Sequence, residues 1–141
     1  MTIPGGSLYQ LLPGFIDGDG DGYGTGAPIQ VCSGNSLPAS YSSNNDDCYD
    51  QNAGAYPGGG AQTTHRGDGS FDYNCNGIEE KKYTIQVVYD PVTKKCPRSG
   101  LVSGIPDCGQ TGIVGYDCMV SRPTNVCWCQ SAPSYPVQAC G

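Results

Sequence analysis

Asp17, Asp19 and Asp21 place three carboxylates at alternate positions of a glycine-rich string, Asp17-Gly18-Asp19-Gly20-Asp21-Gly22-Tyr23-Gly24. Alternate carboxylates in a tight loop can aim at one centre, and a hard cation such as Ca2+ takes about six to eight oxygens. In that layout Asp17, Asp19 and Asp21 fill the first, third and fifth positions, and the carbonyl of Tyr23 the seventh. Gly22 falls at the sixth, where the sharp turn asks for a positive φ. The twelfth position, where such a loop draws a bidentate carboxylate, is Pro28, so further acids must come from elsewhere in the chain.

Two segments offer them. Asn44-Asn45-Asp46-Asp47-Cys48-Tyr49-Asp50 supplies Asp46, Asp47 and Asp50. The string from Asp72 to Glu80 repeats the first loop's spacing, with Asp72, Asn74 and Asn76 at the first, third and fifth positions. Gly77 is then the sixth residue, the Ile78 carbonyl the seventh ligand and Glu80 the ninth. A single string of this kind can be a solvated turn; a second copy at the same spacing favours ligation, with Ca2+ as the ion and two or more ions per chain.

In order along the chain stand Asp17 to Gly24, Cys32, Asp47-Cys48-Tyr49-Asp50, Pro57-Gly58 and Asp72 to Gly77. This succession resembles the Asp-rich calcium-binding repeats of bacterial cell-surface proteins, related to thrombospondin type 3 repeats, over about residues 15–80. The resemblance implies a loop-rich segment wound around calcium, with little helix or sheet, on a secreted or surface protein. Two departures stand out. The pattern usually has a further Cys before its last acidic loop, where this chain has Thr64-His65-Arg66-Gly67-Asp68, and Tyr49 stands where another Asp is common. Beside that pattern Cys32 to Cys48 is a plausible local bridge. Cys75 is then left over, to stay free, bridge to the second half or cross-link chains.

The chain has 141 residues with 22 Gly, 11 Pro and nine Cys, a composition that lacks long regular elements and needs covalent or metal staples. Residues 14–80 hold too few aliphatic side chains to offset their ordering entropy by burial alone. Charge divides the chain as well: up to residue 80 there are ten acids against Arg66 alone, and beyond it three acids against six Lys and Arg. A clustered acidic half repels itself unless cations bind, and it is a poor partner for nucleic acid. No stretch approaches the length of a membrane span. Cysteine use points to an extracellular or cell-surface location.

Past Glu80, Lys82 to Asp90 is the best strand pattern, ended by Asp90-Pro91, with Val92 to Cys96 returning beside it as a hairpin. Gly100-Leu101-Val102, Gly112 to Tyr116 and Asn125 to Cys129 are further short strands. Cys96, Cys108, Cys118, Cys127, Cys129 and Cys140 allow three bridges; Cys127 and Cys129 share one strand face and do not pair with each other. The expected fold is mostly irregular and all-β: an N-terminal extended arm over 1–14, a calcium-binding loop segment over 15–80 and a small disulfide-stapled β domain over 81–141. The apolar arm packs on its own β domain or adds to a neighbouring subunit's sheet, building a polymer.

Other chemistries fit less well. A Ser or Cys nucleophile needs a base held beside it, the only histidine, His65, lies in a Gly-rich surface loop, and there is no C-x-x-C knuckle for zinc or phosphate-cradling loop, so no enzyme is expected. Arg66-Gly67-Asp68 spells an adhesion tripeptide, and Trp128 with the ten tyrosines can form a carbohydrate platform. The expectation is a secreted or cell-surface calcium-binding structural protein, a homo-oligomer or polymer such as an extracellular fibre subunit; the alternative is a calcium-dependent adhesin or carbohydrate-binding module with a glycan or matrix ligand.

Overall fold

A computed structural model of the protein describes residues 8–141. Among them there is no helix; six strands form two small antiparallel sheets, and four disulfides are closed. The described residues divide into two compact units, the first holding 8–60, 66–78 and 141, the second 61–65 and 79–140. The all-β, disulfide-rich class expected from the strand patterns and the cysteines is the class observed. Four disulfides place the chain in an oxidising compartment. No helix of the described residues is long and apolar enough to cross a membrane.

In the first unit β1 (Gln10–Ile16) is the middle strand, flanked by β2 (Thr25–Ser33) and β3 (Tyr41–Ser42). Leu12 lies opposite Val31 and Gly14 opposite Ile29, with a register shift between Gly14 and Ile16. Gly14 has a packing reason: a Cβ there would stand 2.9 Å from Leu37 Cδ2 and 3.3 Å from Val31 Cγ2. The buried apolar residues of this unit are few, Val31, Ala55 and Tyr73. Residues 10–14, expected in an extended arm, are therefore part of a sheet within the unit, and the arm's residues 1–7 lie outside the described residues. The loop segment also contains more sheet than the resemblance implies, because β2 and β3 belong to it.

In the second unit β4 (Ser99–Leu101), β5 (Val114–Ser121) and β6 (Val126–Ser134) form a meander in that order. Met119 faces Trp128, and Cys118 faces Cys129. The strong pattern from Lys82 to Asp90 forms no strand. It makes isolated bridges, Gln86 to Leu101 and Asp90 to Lys95; Ile85 and Val88 stay 65% and 61% exposed, and Tyr83, Val87 and Tyr89 are only half-buried, so the segment lacks the packing that holds a strand. The anticipated return over Val92 to Cys96 is a turn closed by Asp90, whose carboxylate accepts from Val92 N at 2.8 Å and from Thr93 Oγ1 at 2.7 Å.

Disulfide pairing corrects one expectation. Cys48 bridges Cys75 at a Cα separation of 5.4 Å, and Cys32 is the free cysteine, exposed on the edge strand β2. Pairing Cys32 with Cys48 fails because the β1–β2 register fixes Cys32 opposite Leu11, while Cys75 is carried to Cys48 in a left-handed turn with φ of 59°. In the second unit the bridges are Cys96–Cys127, Cys108–Cys140 and Cys118–Cys129. Cys127 and Cys129 thus take separate partners, as their shared strand face requires.

Candidate metal centre

The loop from Asp17 to Gly24 is the connection of the β1–β2 hairpin, so its ends are pinned where Ile16 meets Thr25. The chain after β3 then folds against it. Asp17 N donates to Ser40 O at 3.0 Å, Gly24 N to Asn44 O at 3.2 Å and Asp47 N to Gly24 O at 3.1 Å. Ser42 Oγ and Asn44 Nδ2 both donate to Gly22 O, at 2.7 and 3.4 Å. Gly24 permits this approach, since a Cβ there would lie 2.6 Å from Phe15 Cβ and 2.7 Å from Asn44 O.

Within this frame Asp19, Asp21 and Asp47 each have one oxygen held by the backbone. Asp19 Oδ1 accepts from Asp21 N at 3.2 Å, Asp21 Oδ1 from Tyr23 N at 2.8 Å and Asp47 Oδ1 from Tyr49 N at 2.7 Å. The second oxygen of each of these three, Oδ2, is buried and has no hydrogen-bond partner. Asp47 as a whole is 7% exposed and Asp17 5%. Asp17 accepts from Gly20 N at 2.7 Å and Gly22 N at 3.1 Å, and Asp50 Oδ1 from Gly18 N at 2.6 Å. A carboxylate oxygen carries two lone pairs, so these bonds orient the groups without exhausting them.

The oxygens gather in two overlapping triads. Asp17, Asp19 and Asp21 offer oxygens that lie within 4.8 Å of one another, and so do Asp19, Asp47 and Asp50. That spacing suits ligands around a cation bound at about 2.3–2.6 Å. The electrostatics agree: burial, followed by the neighbouring aspartates, raises the pKa of Asp21 and of Asp47, although the backbone N–H bonds of Tyr23 and Tyr49 oppose the shift. Carboxylate oxygens that are buried, unpartnered and mutually repelling cost free energy that a divalent cation would recover. The residues present therefore fit a hard, oxygen-seeking ion.

The second loop repeats the backbone of the first. Asp72 Oδ2 accepts from Gly77 N at 3.0 Å as Asp17 Oδ2 does from Gly22, and Asn74 Oδ1 and Asn76 Oδ1 accept from Asn76 N and Ile78 N at 3.1 and 2.8 Å. Gly22 and Gly77 have φ of 93° and 84°, and Gly20 and Cys75 are left-handed at matching places, 81° and 59°. The loops differ in charge and cover: Asn74 and Asn76 replace carboxylates, and Asn76, Gly77 and Ile78 are exposed. A third cluster, Asp47 with Cys48 and Cys75, offers no thiolate because the two sulfurs are bonded to each other.

Of the remaining expected ligands, Asp46 is exposed and stands in neither carboxylate triad, and Glu80 belongs to the second unit. The Tyr23 ring stacks on Tyr56 with centroids 5.7 Å apart, steadying the loop's exit. Ser42 and Arg66 escaped the ligand reading. Nothing in the local pattern around Ser42 marks it, because its contact with Gly22 O depends on β3 pairing with β1. Arg66, read as part of an adhesion tripeptide, donates to its own Asp68 through Nε at 3.1 Å and Nη2 at 2.9 Å, and it holds the Asp68 carboxyl down at about 2. No protein-family model, characterised protein or solved structure matches this chain.

Proposed function

We propose that this is a secreted or cell-surface calcium-binding structural protein, non-enzymatic, in which Ca2+ is held by Asp17, Asp19, Asp21, Asp47 and Asp50 and completes the first unit. The observation that carries this reading is the set of three buried Oδ2 atoms, on Asp19, Asp21 and Asp47, that have no hydrogen-bond partner. The Asp72 loop is a weaker second site, because two amides replace carboxylates there. Calcium is favoured over zinc or copper because the donor set is all oxygen. A protein with so small a core and so many staples suits a rigid extracellular scaffold, and self-assembly into a fibre is the form in which we expect it to work.

The test is calcium binding followed by calorimetry on the oxidised chain, with thermal unfolding in millimolar calcium and in excess chelator. Saturable binding and a chelator-induced fall in unfolding temperature are expected. No binding, with identical unfolding curves, would reduce the Asp loops to solvated turns. Assembly is read separately by sedimentation across a concentration series in calcium, where ligand-free polymers are expected. A glycan-binding role is the second reading, supported by Trp128, which is 46% exposed on β6 opposite Met119; a monomer that binds glycans would favour it.

A further inference from the structure

Arg66 has an environment that neither a surface cation nor an adhesion tripeptide needs. Its side chain is only 12% exposed. Nη1 donates to Asp72 O at 2.9 Å and contacts Cys48 Sγ at 3.0 Å, while Nε and Nη2 grip Asp68. The guanidinium lies 5.3 Å from the centroid of the Tyr49 ring. Its main chain is fixed as well: Arg66 N donates to Ser70 O at 2.8 Å and Asn52 Nδ2 to Arg66 O at 2.8 Å. Gly67, at φ of 143°, makes room for this hook, since a Cβ there would meet Tyr49 Oη at 2.5 Å.

One planar fork therefore holds two stretches of chain together. One is 47–52, which carries Asp47 and Asp50, and whose Tyr49 N–H orients Asp47 Oδ1. The other is 68–72, which leads into the second Asp loop. We propose that Arg66 is a positioning residue for the cation site: it touches none of the carboxylates of the two triads, yet it sets where Asp47 and Asp50 stand. The proposal rests on the calcium-binding reading above. Its charge argues in the opposite direction from its geometry. A fixed cation near Asp47 and Asp72 opposes a second cation, so charge alone predicts that removing Arg66 tightens calcium binding. Positioning predicts that removal weakens it.

Calcium titration calorimetry on the full oxidised chain separates the two. Arg66→Gln is expected to bind calcium about tenfold more weakly than the wild-type chain. Arg66→Lys keeps the charge but loses the fork and the flat stack on Tyr49, and it is also expected to bind more weakly. Equal or tighter binding by Arg66→Gln, or wild-type affinity in Arg66→Lys, would overturn the proposal. Disulfide mapping confirms the fold of each variant first; should Arg66→Gln fail to fold, Arg66→Lys decides alone. Absence of calcium binding by the wild-type chain would instead defeat the functional reading itself, so the two failures are distinguishable.

Discussion

The two units solve the same shortage in different ways. Each buries few apolar side chains: Val31, Ala55 and Tyr73 in the first, Leu101, Cys118, Ala139 and Cys140 in the second. The second unit is closed by three disulfides, whereas the first has one, Cys48–Cys75, and in its place a set of buried acids. All the acidic groupings able to hold an ion among the described residues lie in the first unit. The contrast teaches that a chain rich in Gly and poor in aliphatics can replace a core by covalent loops, which act on the unfolded state, or by a cage of buried acids that could hold an ion.

Ways to break that comparison begin with the covalent unit. Replacing Cys108 and Cys140 by Ser removes a bridge across 32 residues at a fully buried cysteine, and a loss of about 3–4 kcal/mol is expected in denaturant unfolding, whether calcium is present or not. Gln138→Ala is next. This buried side chain accepts from Tyr83 N and donates to Tyr83 O, both at 2.8 Å, so the variant leaves backbone groups unpaired and is expected to cost about 2–3 kcal/mol, again independently of calcium.

The first unit answers to different changes. Asp47→Asn keeps the bond from Tyr49 N but removes a buried charge, and it is expected to lose about 1.4 kcal/mol of calcium-dependent stability when calcium stands tenfold above Kd. In chelator the same variant matches or exceeds the wild-type chain in unfolding temperature, because its repulsion is gone. The smallest effect is the pH slope. The folded-state pKa of Asp21 and Asp47 lies above the unfolded value, so without calcium their contribution is fullest at acid pH and is lost as pH rises through the folded value. The chelated protein should therefore gain stability between pH 7 and about pH 4, while the calcium-loaded protein loses it as protons compete for the ligands. Parallel slopes in thermal scans would contradict the cage.

Much of the first site is visible in the order of residues because a loop's carboxylate spacing is local: Asp17, Asp19 and Asp21 converge through bonds that span at most five residues. That Asp47 and Asp50 join them, and that Asp46 does not, depends on β3 pairing with β1 and cannot be read from spacing. The same limit explains Cys32 and Cys75, whose fates follow from the β1–β2 register and a left-handed turn. Lys82 to Asp90 misled for a different reason: its β-branched and aromatic residues describe a packed strand, and here Ile85 and Val88 stay exposed while Tyr83, Val87 and Tyr89 are only half-buried. Gln138, polar and wholly buried, had no signal at all, since its role is to pair Tyr83, 55 residues away.

Amide hydrogen exchange with and without calcium reads both units in one experiment. The account predicts that chelation strips protection from residues 17–24 and 44–50 and leaves residues 99–101 and 114–134 unchanged. Unchanged exchange in 17–24 and 44–50 would contradict it, because the first unit would then stand without an ion.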